Sequence, residues 1–327
     1  MLEIILIIVI LAVFFDVSNG WNDSANAIAT VVSTRVLSPL QAIIMAAVMN
    51  ILGAFAFTAV AKTIGSGIVS PTAVTDTVVI AALVTATLWN TVMTKFGMPI
   101  SCSHALIGGL IGASIAYGGA GILNVGGITK IFMSLLISPF VGLLLGYLFM
   151  KLLIMVFGQF PPGKLNRHFG RLQILSSACM AFSHGSNDAQ KAMGIITLSL
   201  VSGGLLQSLE VPFWVILTCA LAMGTGTALG GWRVIKTLGV NMLKLEPIHG
   251  FAAETSAAAT IIVSSLFGLP VSTTHVVTTS IMGVGSTRRF SAVRWGLAGK
   301  ILTAWVFTLP ICFAAGWLTE ELFLFLW

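Results

Sequence analysis

The sequence predicts an all-α polytopic membrane protein built from two inverted-topology repeats, each with a broken first helix and a helical hairpin interrupted at a Gly-x-Pro. Three observations predict it. First, 57% of the 327 residues are hydrophobic and only 8% are charged, against about a quarter charged in an ordinary soluble domain. That leaves too little polar surface to cover a water-soluble globule. A β-barrel is excluded because the apolar runs are long and continuous instead of short and alternating. Second, an acidic motif occurs twice inside apolar sequence: Gly20-Trp21-Asn22-Asp23-Ser24-Ala25-Asn26-Ala27 and Gly185-Ser186-Asn187-Asp188-Ala189-Gln190-Lys191-Ala192. Third, Gly97-Met98-Pro99-Ile100-Ser101-Cys102-Ser103-His104 is matched by Gly268-Leu269-Pro270-Val271-Ser272-Thr273-Thr274-His275.

The apolar runs are 2–33, 39–61, 77–117, 130–157, 171–200, 211–232, 250–285 and 294–319. Each holds the roughly 20 helical residues that cross a hydrocarbon core. The first begins without a basic segment or a cleavage site, so it reads as a membrane helix and not as a removed signal. Gly20 and Gly185, in the first and fifth runs, are expected to let the backbone bend and bare its carbonyls. The third and seventh runs are interrupted at Pro99 and Pro270. Proline removes a backbone donor and disfavours helix in the residue before it, and the groups so freed are tolerated in a membrane only where protein or a water-filled cavity receives them. Each of these runs is therefore expected to form two helical pieces; a tight turn at the membrane surface is the plainer alternative, and the duplication counts against it. The polar stretch 158–170, with Pro161-Pro162-Gly163, Lys164, Arg167 and His168, is a short cytoplasmic connector. Residues 1–157 and 171–327 are the two repeats.

Let runs one, two, four, five, six and eight each cross once, and let each interrupted run return to its own side. Arg35, Lys164, Arg167, Arg171, Arg233, Lys236, Lys244, Arg288, Arg289 and Arg294 then share one face. Glu3, Glu320, Glu321 and both termini share the other, and Lys62 and Lys130 are the loop charges outside the pattern. Basic loops face the cytoplasm, so the expected location is the plasma (inner) membrane, with both termini extracytoplasmic and the repeats inverted. The net charge of +6 is thus a topology signal, not a nucleic-acid footprint. Cys102, Cys179, Cys219 and Cys312 lie far apart with no metal-ligand spacing and read as reduced packing residues. No cofactor is expected. Gly108-Gly109 and Gly112 permit close helix contact, within the chain or in a homo-oligomer.

A carboxylate in hydrocarbon is costly and marks a task. Asp23 and Asp188, at matched positions, point to one binding site shared between the repeats. Ser101, Ser103, Ser272, Thr273 and Thr274 follow the prolines at helix starts. Their hydroxyls cap free N–H groups, and the same N–H groups with the helix dipole suit an oxyanion; plain capping without a ligand is the bland alternative. Asn22, Asp23, Asn26, Asn187, Asp188 and Gln190 offer the hard oxygen ligands that Na⁺ accepts. An anion beside a carboxylate is repelled unless a cation or proton intervenes, which is a physical reason for symport. The competing reading pairs Asp23 and Asp188 with Lys191 or a histidine. Lys191 stands where the other half has Asn26, and it can snorkel, pair with an aspartate or approach the anion. Glu254, whose counterpart is Leu83, is a candidate second cation or proton site. Asp16, one turn before the first motif, is expected to orient it. His104 and His275 are expected to share a structural role such as bonding freed carbonyls. A Ser/His hydrolase is disfavoured: Ser103-His104 and Thr274-His275 are helix neighbours that do not face each other, so no enzyme is expected.

The segment Asn19-Gly20-Trp21-Asn22-Asp23-Ser24-Ala25-Asn26-Ala27-Ile28-Ala29-Thr30, its copy Ser183-His184-Gly185-Ser186-Asn187-Asp188-Ala189-Gln190-Lys191 and the Pro-x-Ser-x-x-His pair resemble the inorganic phosphate transporter (PiT) family over essentially the whole chain. The resemblance implies inverted repeats with helical hairpins and cation-driven uptake of phosphate. It implies that Asp23, Asn26, Ser101, Ser103, Asp188, Ser272, Thr273 and Thr274 line the phosphate site. Asn22, Asp23, Asn187, Asp188 and Glu254 are the candidate contacts for the coupling ion, Na⁺ or H⁺. Sulfate is the rival substrate, because some relatives carry it. Two departures stand out. The large central hydrophilic loop of many eukaryotic relatives is reduced to 158–170, which favours a compact prokaryotic form. Trp21 and Ser186 stand where the family often has Ala or Phe.

Overall fold

Residues 2–33 form one uninterrupted helix, α1 (Leu2–Ser33), in the computed structural model. The structure describes residues 2–287 and 289–326; Arg288, one of the basic residues named above, lies outside them. The remaining helices are α2 (Pro39–Ala54), α3 (Ala59–Gly67), α4 (Asp76–Phe96), α5 (Cys102–Gly118), α6 (Val125–Phe157), α7 (Pro162–Ser202), α8 (Phe213–Leu229), α9 (Trp232–Lys236), α10 (Pro247–Leu266), α11 (Thr273–Ser286) and α12 (Trp295–Leu326). A π-helical turn, Thr237–Asn241, prolongs α9. Among the described residues the only β feature is an isolated bridge between Val69 and Leu123. Four helices (α1, α4, α6 and α12) are long and apolar enough to cross a membrane, or six spans if α2–α3 and α8–α9 each count as one.

The first helix of each half is not broken, contrary to the expectation from Gly20 and Gly185. Both α1 and α7 run straight through the acidic motif. The glycines serve close packing instead. A Cβ at Gly20 would lie 2.5 Å from the Met223 carbonyl oxygen, and one at Gly185 would lie 2.1 Å from that of Asn50. In a bilayer a helix satisfies its own backbone, so a lone glycine stays helical where a neighbour seats against it. The bends fall in the next elements: 70° between α2 and α3, and 63° between α8 and α9 with its π turn. Motif side chains from the opposite half stitch these bends. Gln190 Oε1 accepts from the N–H groups of Val60 and Ala61 at 2.8 and 3.1 Å, and Ser24 Oγ accepts from Gly231 N at 2.7 Å. The connector is also shorter than expected, because α7 already begins at Pro162.

The packing crosses between the halves. α1 packs on α8, α2 on α7, α5 on α12 and α6 on α11. Buried apolar side chains form two clusters. One takes α1 up to Phe15 and α7 from Ala189 onward; the other takes α1 from Ala25 and α7 up to Ala181. The acidic motifs lie in the gap between the clusters, where Asp16, Asn19, Asn22, Asp23, His184, Asn187 and Asp188 are all buried. Large apolar residues such as Leu136, Phe140, Val306 and Phe307 point outward, toward lipid in a membrane-spanning reading.

The two Gly-x-Pro motifs form hairpins, α4–α5 and α10–α11, as the interruptions predict. Gly97 and Gly268 have φ of +69° and +64°, the left-handed region where glycine ends a helix without a Cβ penalty. The α4–α5 hairpin starts near the C-terminal end of α7, where Ser202 Oγ donates to Val74 O at 2.9 Å. The α10–α11 hairpin starts near the N-terminal part of α7, where Gly250 packs on Gln173. The two hairpins therefore enter from opposite ends.

Candidate functional site

Three carbonyls at each hairpin break have a partner from elsewhere in the chain. In the first break, Thr237 Oγ1 donates to Gly97 O at 2.8 Å, Asn22 Nδ2 to Met98 O at 3.4 Å and Trp305 Nε1 to Pro99 O at 2.9 Å. In the second, Thr63 Oγ1 donates to Gly268 O at 2.7 Å, Asn187 Nδ2 to Leu269 O at 3.4 Å and Ser134 Oγ to Pro270 O. The histidines do not take this role. His275 stacks on Trp305 at 3.8 Å and lies 4.9 Å from the His104 ring, while His104 Nδ1 meets Ser101 Oγ at 2.6 Å. An aromatic ring beside an indole buries its faces more completely than it could by reaching a carbonyl already bonded.

The two tips touch. Ser103 Oγ of the first donates to Val271 O of the second at 3.1 Å. Ser101 and Ser272 cap α5 and α11, accepting from His104 N at 3.2 Å and His275 N at 3.3 Å. The first-turn N–H groups ahead of these bonds lack intrahelical partners by the geometry of any helix start. Two helix N-termini thus converge on one place.

Both motif aspartates are there. Thr273 Oγ1 lies 3.3 Å from Asp23 Oδ2 and 3.3 Å from Asp188 Oδ2, and Thr274 Oγ1 donates to Asp23 Oδ1 at 2.8 Å. Asn26 Nδ2 donates to Thr274 Oγ1 at 3.0 Å. Asp23 is 2% exposed and Asp188 0%. Lys191 Nζ pairs with Asp188 Oδ1 at 2.8 Å. His184 stands between the carboxylates, with Nε2 3.7 Å from Asp23 and 3.6 Å from Asp188. Its other nitrogen, Nδ1, meets Asn50 Oδ1 at 2.7 Å, which turns Nε2 toward the acids. Asp23, His184 and Asp188 each place a potential ligand atom within 4.8 Å of the others, so three acceptors face one small space. Lys191 offsets one of the two carboxylate charges, and a bound cation would offset the other.

The expected residues divide by location. Asp23, Asn26, Asp188, Thr273 and Thr274 form the cluster, with Ser101, Ser103 and Ser272 at the adjoining tips. Asn22 and Asn187 sit beside it with their amide nitrogens committed to the hairpins: Asn22 to Thr94 Oγ1 at 2.8 Å and Asn187 to Ser265 Oγ at 2.9 Å, besides the carbonyls above. Glu254 sits apart. It accepts from Thr30 Oγ1 at 2.5 Å, Gln173 Nε2 at 3.1 Å and Ser176 Oγ. Thr30 is two helical turns from Asp23, about 10 Å along α1. Among the described residues Asp16 makes no hydrogen bond to the motif; it faces the Cys219 thiol instead. The pairing with Lys191 and a histidine, given as the competing reading, is present, His184 being that histidine; Asn50 was missed from sequence, and His184 was not singled out by number. The available signals were a buried histidine one turn before Asp188 and a lone asparagine in an apolar segment.

Comparison with known proteins is consistent along the chain. The profile described as "Phosphate transporter family" matches residues 19–164 and 159–316. A Bacillus subtilis protein named "Probable low-affinity inorganic phosphate transporter" is 46% identical over 319 residues, spanning 97% of this chain and 96% of its own. One of the same name from Rhizobium meliloti is 47% identical over 306 residues, spanning 93% and 91%. The solved structure titled "The sodium-dependent phosphate transporter" superposes with a TM-score of 0.92 at 26% identity, covering 99% of this chain and all of that one.

Proposed function

The chain belongs to the phosphate transporter family, and we propose that it moves inorganic phosphate as a symporter coupled to Na⁺ or H⁺, by alternating access around the Thr273 cluster. One observation carries the coupling: buried carboxylates from both motif copies, Asp23 and Asp188, lie at the same Thr273 hydroxyl. Phosphate brought to the N-termini of α5 and α11 would meet those carboxylates. At an effective dielectric constant of about 20, two like charges 4 Å apart repel by about 4 kcal/mol. A cation or proton on the carboxylates removes that repulsion, so the anion binds well only after its partner ion. Phosphate retains a proton at neutral pH and can donate it to Asp23 or Asp188; fully ionised sulfate cannot.

The helix N-termini would hold the anion through backbone N–H groups and the Thr273, Thr274 and Ser103 hydroxyls. His184, aimed by Asn50, faces the two acids where the cation would sit. Glu254, within its own cage of donors, is a candidate further cation or proton position. Lys95 and Arg233 line an open cavity beside Trp21 and Thr94, a positive mouth that would draw anions toward the Asn22–Thr94 bond.

The cross-packing of the halves and the opposed hairpins support two inverted repeats, 1–157 and 171–327, rocking against each other. Arg35 follows the end of α1, Lys164 and Arg171 lie in the N-terminal part of α7, and Lys244 and Arg294 precede α10 and α12. With these at the cytoplasmic face, both termini are extracytoplasmic and the protein resides in the plasma (inner) membrane.

The test is uptake of labelled phosphate by purified protein in liposomes, varying Na⁺, pH and competing sulfate. Uptake that concentrates phosphate, responds to a cation gradient and resists excess sulfate is expected. Uptake indifferent to both Na⁺ and pH would overturn the coupling.

A further inference from the structure

The two halves of the cluster differ in a way that duplication alone does not require. Asn19 and Asn26 in the first motif are replaced by His184 and Lys191 in the second. On the first side the acid is surrounded by amides with oxygen to spare. Asn26 is 1% exposed and Asn22 1%, and the Oδ1 of each accepts no hydrogen bond among the described residues. Buried carbonyl oxygens without donors, beside a carboxylate, are a setting for a cation. On the second side the corresponding oxygens are gone or used. Asn187 Oδ1 accepts from Val271 N at 3.4 Å, and position 191 carries an ammonium in place of an amide. Lys191 is 1% exposed and lies 2.8 Å from Asp188 Oδ1.

We infer that Lys191 is a tethered cation that stands permanently in the second of two pseudo-equivalent cation positions, so that this transporter takes up one coupling cation fewer per phosphate than a fully symmetric site would. The inference rests on the symport reading above. A mobile cation at Asp188 would have to displace an ammonium joined to the same helix one turn away, and a buried charge without its partner is strongly unfavourable. Asp188 is therefore neutralised in every stage of the cycle, with or without substrate, while Asp23 is neutralised only by an ion that arrives and leaves. The Lys191 side chain still adds positive charge beside the anion position without dissipating a gradient. Specificity for the coupling ion then belongs to the Asp23, Asn22 and Asn26 side.

The experiment uses the full chain in liposomes with Na⁺ and pH equal on both sides and the membrane potential clamped. Equilibrium phosphate accumulation then reports the net charge moved with each anion. Lys191→Asn restores the amide of the first half and is expected to add about one inward charge per phosphate, raising accumulation about tenfold at a clamped potential of ~60 mV. Lys191→Arg is expected to leave the accumulation as in the wild type. Unchanged accumulation by an active Lys191→Asn protein overturns the inference. If that variant folds but does not transport, its melting temperature is read against added Na⁺ and against pH. A cation-dependent stabilisation absent from Lys191→Met supports the inference, and equal behaviour of the two variants overturns it. If Lys191→Asn does not fold, Asn26→Lys decides: transport or exchange that has lost its cation dependence supports the inference, and dependence like the wild type's overturns it. Wild-type uptake indifferent to Na⁺ and pH would overturn both this inference and the symport reading, whereas a coupled wild type that loses coupling in Asp23→Asn leaves symport intact however Lys191 behaves.

Discussion

Asn22 and Asn187 make the same pair of hydrogen bonds in the two halves of the chain. Each donates from one amide nitrogen to a hydroxyl on the first arm of a hairpin, Thr94 at 2.8 Å or Ser265 at 2.9 Å, and to the carbonyl just before the hairpin proline, Met98 or Leu269, both at 3.4 Å. These residues act through nitrogen as clamps on the tips. Asn22→Asp keeps an oxygen and removes the donor, setting a carboxylate against the Met98 carbonyl. Loss of such a buried bond costs about 1–3 kcal/mol. Phosphate uptake is expected to fall at least ~10-fold with a lower melting temperature. Wild-type uptake would show that the side-chain oxygen, not the nitrogen, is what matters there.

Asp23→Asn and Asp188→Asn are both expected to abolish cation-dependent uptake in proteoliposomes, yet they should differ in stability. Asp188→Asn strands the buried Lys191 ammonium, and breaking a buried pair by removing one partner costs about 3–5 kcal/mol. Among the described residues Asp23 has no lysine within salt-bridge distance. The Asp188 variant should therefore melt at the lower temperature by thermal scanning in detergent, and equal melting would show that the Lys191 pair contributes little.

Asn50 touches neither acid but meets His184 Nδ1 at 2.7 Å. Removing a group that orients a ligand typically weakens metal affinity about 10–100-fold. Asn50→Leu is expected to raise the cation concentration for half-maximal uptake by a factor in that range, with a smaller effect on the maximal rate. A change in maximal rate alone would argue for a packing role.

Gly185→Ala drives a methyl group onto the Asn50 carbonyl, where the Cβ would sit 2.1 Å from the oxygen. Overpacking of this kind costs about 1–3 kcal/mol. Gly121, with nothing within 4 Å of its would-be Cβ, is the control: Gly121→Ala should melt like the wild type and Gly185→Ala well below it.

The sequence disclosed most where burial conflicts with polarity. Asp23 and Asp188 stand out because carboxylates are rare in apolar runs, and Pro99 and Pro270 because each closes a duplicated Gly-x-Pro; Pro139 and Pro310, which lack that glycine, stay inside α6 and α12. Those features located both hairpins and the central cluster. The bend between α2 and α3 was illegible because Phe55-Ala56-Phe57-Thr58 carries no glycine or proline to mark it. Gly20 and Gly185 were misread for a related reason: glycine permits a bend and equally permits a close neighbour, and only the opposing helix decides which. His184 and Asn50 could not be paired from one sequence, since their separation of 134 positions is closed up only by the packing of α2 on α7.

The last helix of each half serves the hairpin of the other: Trp305 of α12 secures the tip at Pro99, and Ser134 of α6 secures the tip at Pro270. The halves are interlocked like clasped hands, so neither is a self-sufficient unit. Fragments 1–160 and 161–327 made separately should be degraded, while made together they should find one another and restore uptake. A gene cut in two at this junction would have to keep both pieces in the same cell.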